Sequence, residues 1–379
     1  MRAVFVGGGT GGHVNPALSI AGYLKKREPD AEILYIGAKG GIEERLVTAA
    51  GYELKTITIT GFQRKLTPQN LVRNIKTVKN LFSASTEAKR ILQDFKPDVC
   101  IGTGGYVSGP VIREAAKLKI PALIHESNAF PGKTTKWVSS YVYAVLLAVE
   151  DAKKYFDKKV NTVVTGNPVR SEILDADPGK SREKLKLDSR PVILSFGGSL
   201  GARAINSAVI EMLTESAKEK KYQHIHGYGT HDEDFFERLE RAGFNGEDNG
   251  QIRLLPYIDD MPSYLAAADL VISRSGAMTL TEIEAKGRAS ILIPSPNVAE
   301  NHQYYNAKAL ADKNAAKMIE EKDLTGEALW ELADSLMGNL LKLRRLADNA
   351  LKMQNFDANS RIYREIKRAV KAGENKDKS

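Results

Sequence analysis

Short apolar runs alternate with longer amphipathic stretches along the first part of the chain. Five runs have the length and pattern of β-strands: AVFVG, EILYIG, DVCIGTG, PALIHES and TVVTGNP. The stretches between them, such as NPALSIAGYLKKRE and SGPVIREAAKLK, are typical of helices. Because strands that alternate with helices form parallel sheets, this order predicts an α/β fold with helices on the faces of the sheet.

The same scheme restarts near the middle of the chain. PVILSFGGSLGARAINSAVIEMLTE repeats the opening order of apolar strand, glycine-rich turn and helix, and the polar stretch before it, ILDADPGKSREKLKLDSR, predicts a linker. We therefore expect two Rossmann-like domains, residues 1–166 and 167–345, whose parallel sheets face each other across a cleft that holds the site. The charged residues 373–379 predict a disordered tail.

The composition limits what such a chain can do. Its 379 residues are 42% hydrophobic, which is enough for a large core. A single cysteine, Cys100, excludes a disulfide framework and predicts a reducing, cytosolic setting. The opening residues lack the pattern of a secretory signal, and no apolar run reaches the ~18 residues of a membrane-spanning helix. The formal charge of +8 predicts an anionic partner: nucleic acid, an acidic lipid surface or a phosphorylated substrate.

The turn that joins the first strand to the first helix, GGGTGGH, raises the question of a phosphate site. Gly7, Gly9 and Gly12 satisfy the G-x-G-x-x-G pattern of dinucleotide sites, but EILYIG runs into AKGG without an acidic residue for the ribose. The GKT at Gly132 and the GKS at Gly179 lack the earlier glycine of a P-loop. Two interpretations remain open: an anion site built from backbone N–H groups and a helix N-terminus, or a tight packing turn.

Two further segments repeat this combination. GTGGYVSGP and GGSLGAR also follow apolar strands and precede helices, so three glycine-rich turns on one rim predict a large, phosphate-bearing ligand set. Later, ISRSGAMTLTEIEAKG places SGA at the start of a helix. Glu282 lies in this element, where its carboxylate could accept both hydroxyls of a ribose diol. A capping-box role with Thr279 is the alternative.

Seven segments together resemble one family. GGTGGHVNPAL, GTGGYVSGPV, HESNAFPG, GNPVR, GGSLGAR, RSGAMTLTE and PSPNVAENHQYYNA are similar in order and spacing to the MurG family of UDP-N-acetylglucosamine transferases, which convert lipid I to lipid II in peptidoglycan synthesis. The resemblance covers residues 1 to about 365. It implies the GT-B fold, with the undecaprenyl-linked acceptor on the first domain, the nucleotide sugar mainly on the second, and a last helix, 346–365, that crosses back to the first.

The resemblance also implies which residues bind the donor, UDP-N-acetylglucosamine. It assigns the uracil edge to the backbone of Ile258, the ribose to Glu282, and the N-acetylglucosamine hydroxyls to Gln303, beside which His302 replaces a glutamine of one family branch. Ser199 and the SGAMT turn are implied diphosphate contacts. The full implied donor set is Thr10, Gly11, Gly12, Asn128, Arg170, Ser199, Ile258, Ala277, Met278, Thr279, Glu282 and Gln303.

The implied acceptor set lies in the first domain. Its members are Gly11, Gly12, His13, Gly104, Gly105, Tyr106 and Asn128. An acceptor hydroxyl that displaces UDP with inversion, to give a β-1,4 link, needs a base, fixed dipoles near the diphosphate and a dry cleft. His13 is the candidate general base, because the positive end of a helix favours a neutral imidazole. Bracing of the loop or binding of phosphate is its alternative role, and Glu126 would then be the next candidate.

No metal and no tightly bound cofactor is expected. The only Asp-x-Asp pairs, Asp175/Asp177 and Asp232/Asp234, lie in polar stretches and not at the ends of strands, so helix ends and hydroxyls should stabilise the diphosphate instead. His224 and His226 alternate along a predicted strand and are interpreted as structural.

The stretch LVRNIKTVKNLFSASTEAKRIL, residues 71–92, predicts an amphipathic helix. Its apolar side chains could pack on the sheet, or their end could enter the anionic inner leaflet, which would make the protein peripheral to the cytoplasmic face of the cell membrane. The candidate membrane patch comprises Ile75, Lys76, Val78, Lys79, Leu81 and Phe82.

Two other classes of function share parts of this pattern. A UDP-sugar epimerase of the same build would need no acceptor turns, and a nucleic-acid binder would need an aromatic-interleaved basic stripe that the sequence lacks. The expected partners are UDP-N-acetylglucosamine, undecaprenyl-linked lipid I, an anionic membrane surface and other cell-wall and division proteins, but no nucleic acid.

Overall fold

The contacts within the chain divide it into two compact units. In a computed structural model, unit 1 comprises Met1–Arg170 and Phe356–Ser379, and unit 2 comprises Ser171–Asn355. The structure describes residues 1–60, 83–244, 252–298, 301–355 and 357–376. Each unit is an α/β domain built on a parallel sheet, which confirms the predicted fold class.

Unit 1 contains a seven-stranded sheet with the strand order β3-β2-β1-β4-β5-β6-β7, in which every pairing is parallel. The strands are β1 (Arg2–Val6), β2 (Glu32–Ala38), β3 (Glu53–Ile57), β4 (Val99–Gly102), β5 (Ala122–Glu126), β6 (Ala144–Leu147) and β7 (Thr162–Val164). Its helices before the last one are α1 (Gly11–Arg27), α2 (Glu43–Ala49), α3 (83–95), α4 (Ser108–Lys117) and α5 (Lys133–Val138), with a 3-10 helix at Glu150–Tyr155. Helices cover both faces of the sheet, so the central strand β1 is apolar on both faces.

Unit 2 repeats this topology with six parallel strands in the order β10-β9-β8-β11-β12-β13. The strands are β8 (Val192–Phe196), β9 (Gln223–Gly227), β10 (Ile252–Leu255), β11 (Leu270–Ser273), β12 (Ala289–Leu292) and β13 (Lys317–Met318). The helices are α6 (Ser171–Asp175), α7 (Pro178–Lys184), α8 (Arg203–Glu219), α9 (Phe235–Arg241), α10 (Met261–Ala267), α11 (Ala277–Lys286), α12 (His302–Ala311), α13 (Gly326–Met337) and α14 (Leu340–Met353), with a 3-10 helix at Glu321–Asp323. In both units the first strand lies in the middle, so the carboxyl ends of the first and fourth strands are neighbours.

The stretch predicted as a linker, residues 173–190, is folded into unit 2 instead. It contains most of α6 and all of α7, and both helices contact α10. Pro178 occupies the first turn of α7, and the Asp177 carboxylate accepts a hydrogen bond from the Lys180 backbone N–H at 2.8 Å. The polar composition that suggested a linker is therefore that of the capped surface helix α7, and the helix before it, α6, buries the side chain of Ile173.

The end of the chain also differs from the prediction. The single helix predicted over 346–365 is two helices, because the backbone is extended at Gln354, with φ −65° and ψ 136°. The second helix, α15 (Ala358–Lys376), belongs to unit 1, where Ile362 and Ile366 are buried in the core beside α1. Residues 373–376 of the predicted disordered tail are helical, and Gly373 lies so close to Pro121 that a Cβ atom would be 2.5 Å from its ring.

A buried chain of hydrogen bonds connects β8 and β9 to α8 in unit 2. The Asn206 amide donates to Asp232 Oδ2 at 2.6 Å, so its Oδ1 accepts from His226 Nε2 at 3.2 Å. His226 Nδ1 must then accept from the Ser195 hydroxyl at 2.7 Å, and His224 Nε2 donates to that hydroxyl at 2.9 Å. Because His226 accepts at Nδ1 and donates from Nε2, the chain requires the His226 ring to be neutral, whereas His224 only donates from Nε2. Burial lowers the pKa of His224 and of His226 to about 3, so both buried rings are neutral at pH 7.

This network makes unit 2 sensitive to acid. A histidine with a folded pKa of about 3 and an ordinary pKa of 6.5 binds fewer protons in the folded than in the unfolded chain, so stability falls as the pH falls below 6.5. Between pH 7 and pH 5 the free energy of unfolding should fall by about 2 kcal/mol for each ring. Urea unfolding of unit 2 at both pH values measures this loss.

The double variant His224→Gln/His226→Gln should show a smaller loss over the same interval, whatever its stability at pH 7. His231, whose side chain is exposed, provides the matched control. An equal pH dependence in the double variant and the parent would contradict the interpretation.

Candidate functional site

The opening glycine-rich turn presents backbone donors at the start of α1. Thr10 is the N-cap residue with an extended backbone, φ −151° and ψ 157°, and its side chain makes no capping hydrogen bond. The first turn of α1 contains no acidic residue, so the N–H groups of Gly11 and Gly12 face the exposed end of the helix without intrahelical partners. This arrangement can bind an anion or a sugar oxygen.

His13 is the third residue of α1 and is held against the turn that follows β4. Its Nδ1 atom lies 3.1 Å from the Thr103 carbonyl oxygen, and the Thr103 hydroxyl donates to the His13 carbonyl at 2.6 Å. A carbonyl oxygen can only accept, so Nδ1 carries the proton and Nε2 bears the lone pair of the neutral ring. The ring is half-buried. This tautomer leaves Nε2 as the atom that could accept a proton.

The turns after β1 and β4 interlock through their backbones. Gly105 has φ +79°, and a Cβ atom there would lie 2.1 Å from the Gly8 carbonyl oxygen. Gly104 has φ +98°, and a Cβ atom there would lie 2.8 Å from His13 Nδ1. Both positions therefore require glycine. Tight packing and the presentation of N–H groups, which the sequence left as alternatives, coexist in this segment: Gly8 is buried in the packing, while Gly12 is exposed.

Glu126 organises the loop that follows β5. Its Oε1 accepts hydrogen bonds from the Asn128 backbone N–H at 3.0 Å and from the Asn128 amide at 3.1 Å, and its Oε2 accepts from the Gly132 N–H at 2.9 Å. The side chain is only 5% exposed. Because both oxygens are engaged within the loop, Glu126 is placed to orient Asn128, and a role as a base would require these bonds to break.

Glu43, at the start of α2, is a site residue that the sequence does not predict. The tip of β2, at Ala38, is where a dinucleotide site would have its acidic residue. The Glu43 carboxylate comes from farther along the chain and accepts the Gly9 backbone N–H at 2.9 Å. Its only sequence signal is an acidic residue after the glycine pair Gly40 and Gly41, which does not predict a contact with the first turn.

In unit 2, the turn after β8 is built in the same way. Gly201 has φ +87°, and a Cβ atom there would lie 2.3 Å from the Tyr228 carbonyl oxygen in the segment after β9. The Ser199 carbonyl accepts from the backbone N–H and the hydroxyl of Thr230, each at 3.4 Å. Ser199 itself is half-buried at the tip of the turn. This second interlocked pair of turns sets the position of the implied diphosphate contact.

The start of α11 settles one alternative for Glu282. Gly276 is the N-cap residue, so Thr279 lies within the first turn of the helix and cannot cap it. The capping-box interpretation of Glu282 is therefore wrong. The first turn contains no acidic residue, and the N–H groups of Ala277 to Thr279 lack intrahelical partners at this end. Glu282 lies on the same helix and is 8% exposed.

Gln303 is oriented by the elements around it. Its Oε1 accepts the Ser295 backbone N–H at 2.9 Å, and its carbonyl accepts the Ser275 hydroxyl at 2.8 Å. Asn306 completes the arrangement by donating to the Ser275 carbonyl at 3.2 Å. The amide group of Gln303 therefore turns its NH₂ group, a donor, away from Ser295. His302 is the first residue of α12 and is half-buried.

The remaining implied residues occupy separate places. Ile258 follows β10, is 6% exposed and packs on Gly227, where a Cβ atom would lie 3.0 Å from Ile258 Cδ1. Arg170 is the last residue of the first segment of unit 1, directly before α6. The candidate membrane patch, from Ile75 to Phe82, lies outside the described residues.

Within the described residues, no helix combines the length and the apolar character needed to cross a bilayer. The same residues contain no group of three His, Cys, Asp or Glu side chains that could hold a metal ion. Asp232 forms an ion pair with Arg238, and Asp234 accepts two hydrogen bonds from Arg203 at 2.8 and 2.7 Å.

Comparison with known proteins gives matches over nearly the whole chain. Residues 3–147 match the glycosyltransferase family 28 N-terminal domain, and residues 192–362 match its C-terminal domain. The chain is 45% identical to the UDP-N-acetylglucosamine--N-acetylmuramyl-(pentapeptide) pyrophosphoryl-undecaprenol N-acetylglucosamine transferase of Acetivibrio thermocellus, over 98% of this chain and 99% of the relative.

Solved structures agree with this match. The crystal structure of Acinetobacter baumannii MurG has a TM-score of 0.69 and 29% identity, covering 97% of this chain and 99% of that one. The UDP-GlcNAc 2-epimerase from Neisseria meningitidis, solved with UDP-GlcNAc, has a TM-score of 0.64 and 15% identity, covering 97% of this chain and 100% of that one. At that identity the epimerase shares the fold alone.

Proposed function

The chain belongs to glycosyltransferase family 28, and we infer that it is the inverting transferase that converts lipid I to lipid II. It transfers N-acetylglucosamine from UDP-N-acetylglucosamine to the 4-hydroxyl of the muramic acid in undecaprenyl-pyrophosphoryl-MurNAc-pentapeptide, and forms a β-1,4 link for peptidoglycan synthesis. The observation that carries this conclusion is the 45% identity over 98% of the chain to a transferase of that name.

We propose that unit 2 binds the donor. The carboxylate of Glu282 is suited to the ribose diol, and the backbone beside Ile258 to the uracil edge. The N–H groups that open α11, together with Ser199, would contact the diphosphate, because a helix N-terminus without acidic residues attracts phosphate. The donor NH₂ group of Gln303 suits the oxygens of the sugar.

Unit 1 is assigned to the acceptor. The first-turn N–H groups of α1 and the loop residues Tyr106 and Asn128 supply hydrogen-bond donors and acceptors for a sugar and its phosphates. Thr10, Gly11, Gly12 and Asn128 are also proposed to contact the donor sugar, and Arg170 a phosphate or the sugar. These assignments rest on the resemblance in sequence and on the exposure of Thr10 and Gly12 at the start of α1.

The proposed reaction is a single displacement. The acceptor 4-hydroxyl oxygen forms a bond to the anomeric carbon while the bond from that carbon to the diphosphate oxygen breaks, which inverts the anomer. His13 Nε2 takes the hydroxyl proton, and UDP leaves with the bonding electrons. The backbone N–H groups at the start of α11 stabilise the charge that develops on the leaving diphosphate.

A transfer assay tests the function. The protein should consume UDP-N-acetylglucosamine and glycosylate lipid I, and should release no epimerised sugar when the nucleotide sugar is supplied alone. If the sugar is epimerised without acceptor, the protein is a UDP-sugar epimerase of similar fold and not a transferase.

The site of action is proposed to be the cytoplasmic face of the cell membrane, with peripheral attachment, because the acceptor is lipid-linked. The patch Ile75, Leu81 and Phe82 is proposed to enter the anionic leaflet. Replacement of all three by Ser should lower sedimentation with anionic vesicles and leave turnover of a soluble, short-chain acceptor unchanged. If both are lost together, these side chains belong to the core instead.

Glu282→Ala tests the assignment of the ribose. Loss of hydrogen bonds to a charged carboxylate should weaken UDP binding by about 1.5–3 kcal/mol, measured by calorimetry. Glu284→Ala, on the same helix, is the matched control and should bind UDP like the parent. Equal affinity of Glu282→Ala and the parent would remove Glu282 from the donor site.

His13 variants test the base. His13→Ala and His13→Asn should each lower kcat at least about a hundredfold, because a general base contributes ~10²–10⁴-fold, while the affinity for UDP stays near that of the parent. If His13→Asn keeps its kcat and raises only the KM for the acceptor, His13 binds substrate and the base lies elsewhere.

A further inference from the structure

Glu43 is a fully buried acid that contacts the opening glycine-rich turn. Its side chain is 0% exposed, and its Oε1 accepts the Gly9 backbone N–H at 2.9 Å. Among the described residues its Oε2 accepts no hydrogen bond, and the carboxylate forms no ion pair. Burial of a carboxylate without a cation is unfavourable for folding, so the position is not explained by stability alone.

Two glycines make room for this carboxylate. A Cβ atom on Gly8 would lie 1.7 Å from Glu43 Oε1, and a Cβ atom on Gly41 would lie 2.0 Å from Glu43 Oε2. A side chain at either position would displace the carboxylate, so the turns after β1 and β2 both leave space that the carboxylate fills. The Glu43 side chain thus packs between the turns after β1 and β2 and has little freedom to adopt another rotamer.

The turn held by Glu43 contacts the proposed acceptor residues. Gly9 has φ +85° and packs on the ring of Tyr106, where a Cβ atom would lie 2.7 Å from Cε1. Gly8 packs its carbonyl against Gly105, the neighbour of Gly104, which in turn packs against the ring of His13. A shift of the Gly8 and Gly9 backbone would therefore move Tyr106 and His13.

The hydrogen bond also changes what the turn can bind. The Gly9 N–H is the middle donor of the G-x-G-x-x-G pattern, and here an internal carboxylate occupies it. A negative charge behind this glycine opposes a phosphate at the same point, whereas the N–H groups of Gly11 and Gly12 remain at the helix end. Burial and the nearby Glu43 carboxylate both raise the pKa of the Tyr106 phenol, which keeps it a hydrogen-bond donor at neutral pH.

We propose that Glu43 is a positioning residue for glycosyl transfer: its Oε1 holds the Gly9 N–H and thereby sets the backbone that places His13 and Tyr106. This inference rests on the proposed function for its kinetic test. It also predicts that the Gly9 hydrogen bond depends on the length of the side chain at position 43, and this can be measured without any substrate.

The test compares side chains that differ in reach and in charge. Glu43→Gln keeps an oxygen at the same reach without the charge, and Glu43→Asp keeps the charge but is one methylene too short for the Gly9 N–H. The matched control is Glu44→Gln, because Glu44 is the next residue of α2, is exposed, and accepts the Gly40 N–H at 2.8 Å in a turn on the surface.

Three quantities are measured for each variant: kcat with a short-chain lipid I analogue, UDP affinity, and the hydrogen-exchange rate of the Gly9 amide. Glu43→Asp should lower kcat by about tenfold to a hundredfold, as expected for a misplaced reacting group, with UDP affinity unchanged and faster Gly9 exchange. Glu43→Gln and Glu44→Gln should stay within about threefold of the parent in kcat and keep Gly9 protected.

Each other outcome overturns the proposal. If Glu43→Asp keeps the kcat and the Gly9 protection of the parent, the length of the side chain at position 43 does not set the position of the turn. If Glu43→Gln loses activity while Glu43→Asp retains it, charge and not position is the contribution of Glu43. Absence of transfer by the parent protein would refute the proposed function, and the exchange rates would still decide whether residue 43 holds the turn.

Discussion

The close approach of backbone to backbone at the carboxyl ends of the strands is the constraint on which both units depend. In unit 1 the Gly8 carbonyl occupies the place that a side chain on Gly105 would need, and in unit 2 the Tyr228 carbonyl does the same for Gly201. Neighbouring parallel strands end at the same edge of a sheet, so their following turns must either diverge or interlock. These turns interlock, and the helices α1 and α8 that follow the first turn of each unit begin without a side-chain cap and without an acidic residue in the first turn.

This constraint explains why the glycines cannot be assigned to one purpose. Gly7 and Gly8 are buried and serve the packing, whereas Gly12 is exposed at the helix end. A tight turn of this kind is what allows a helix N-terminus to be free of side chains near the strand end. A packing turn and the proposed anion-binding turn are therefore compatible, because they concern opposite sides of the same segment.

The sequence predicted the two parallel sheets because alternation of strands and helices is a local property that the repeat confirms. Prediction from the sequence failed where polar residues take part in packing. The segment that forms α7 was predicted to be a linker, although Asp177 and Pro178 cap the helix. The end of α15 was predicted to be a disordered tail, although Gly373 lies against Pro121. The positions of the motif residues at strand ends could also be predicted. The roles of Glu43 and Glu126 could not, because each depends on a hydrogen bond to a backbone N–H that only the folded chain places within reach.

The two units share a topology but differ in the charge that lies behind their first turns. In unit 1 a buried carboxylate, Glu43, accepts an N–H of the turn itself. In unit 2 the strand before the first turn, β8, carries Ser195, which is hydrogen-bonded to the neutral histidines His224 and His226. The acid at the end of this hydrogen-bond chain, Asp232, forms an ion pair with Arg238. A turn that is to contact a departing diphosphate is best backed by groups without net charge, since a buried anion there would oppose the developing negative charge. The same kind of interlocked turn can therefore suit two different ligands, because the side chains beneath the turn, and not its glycines, determine the electrostatic potential there.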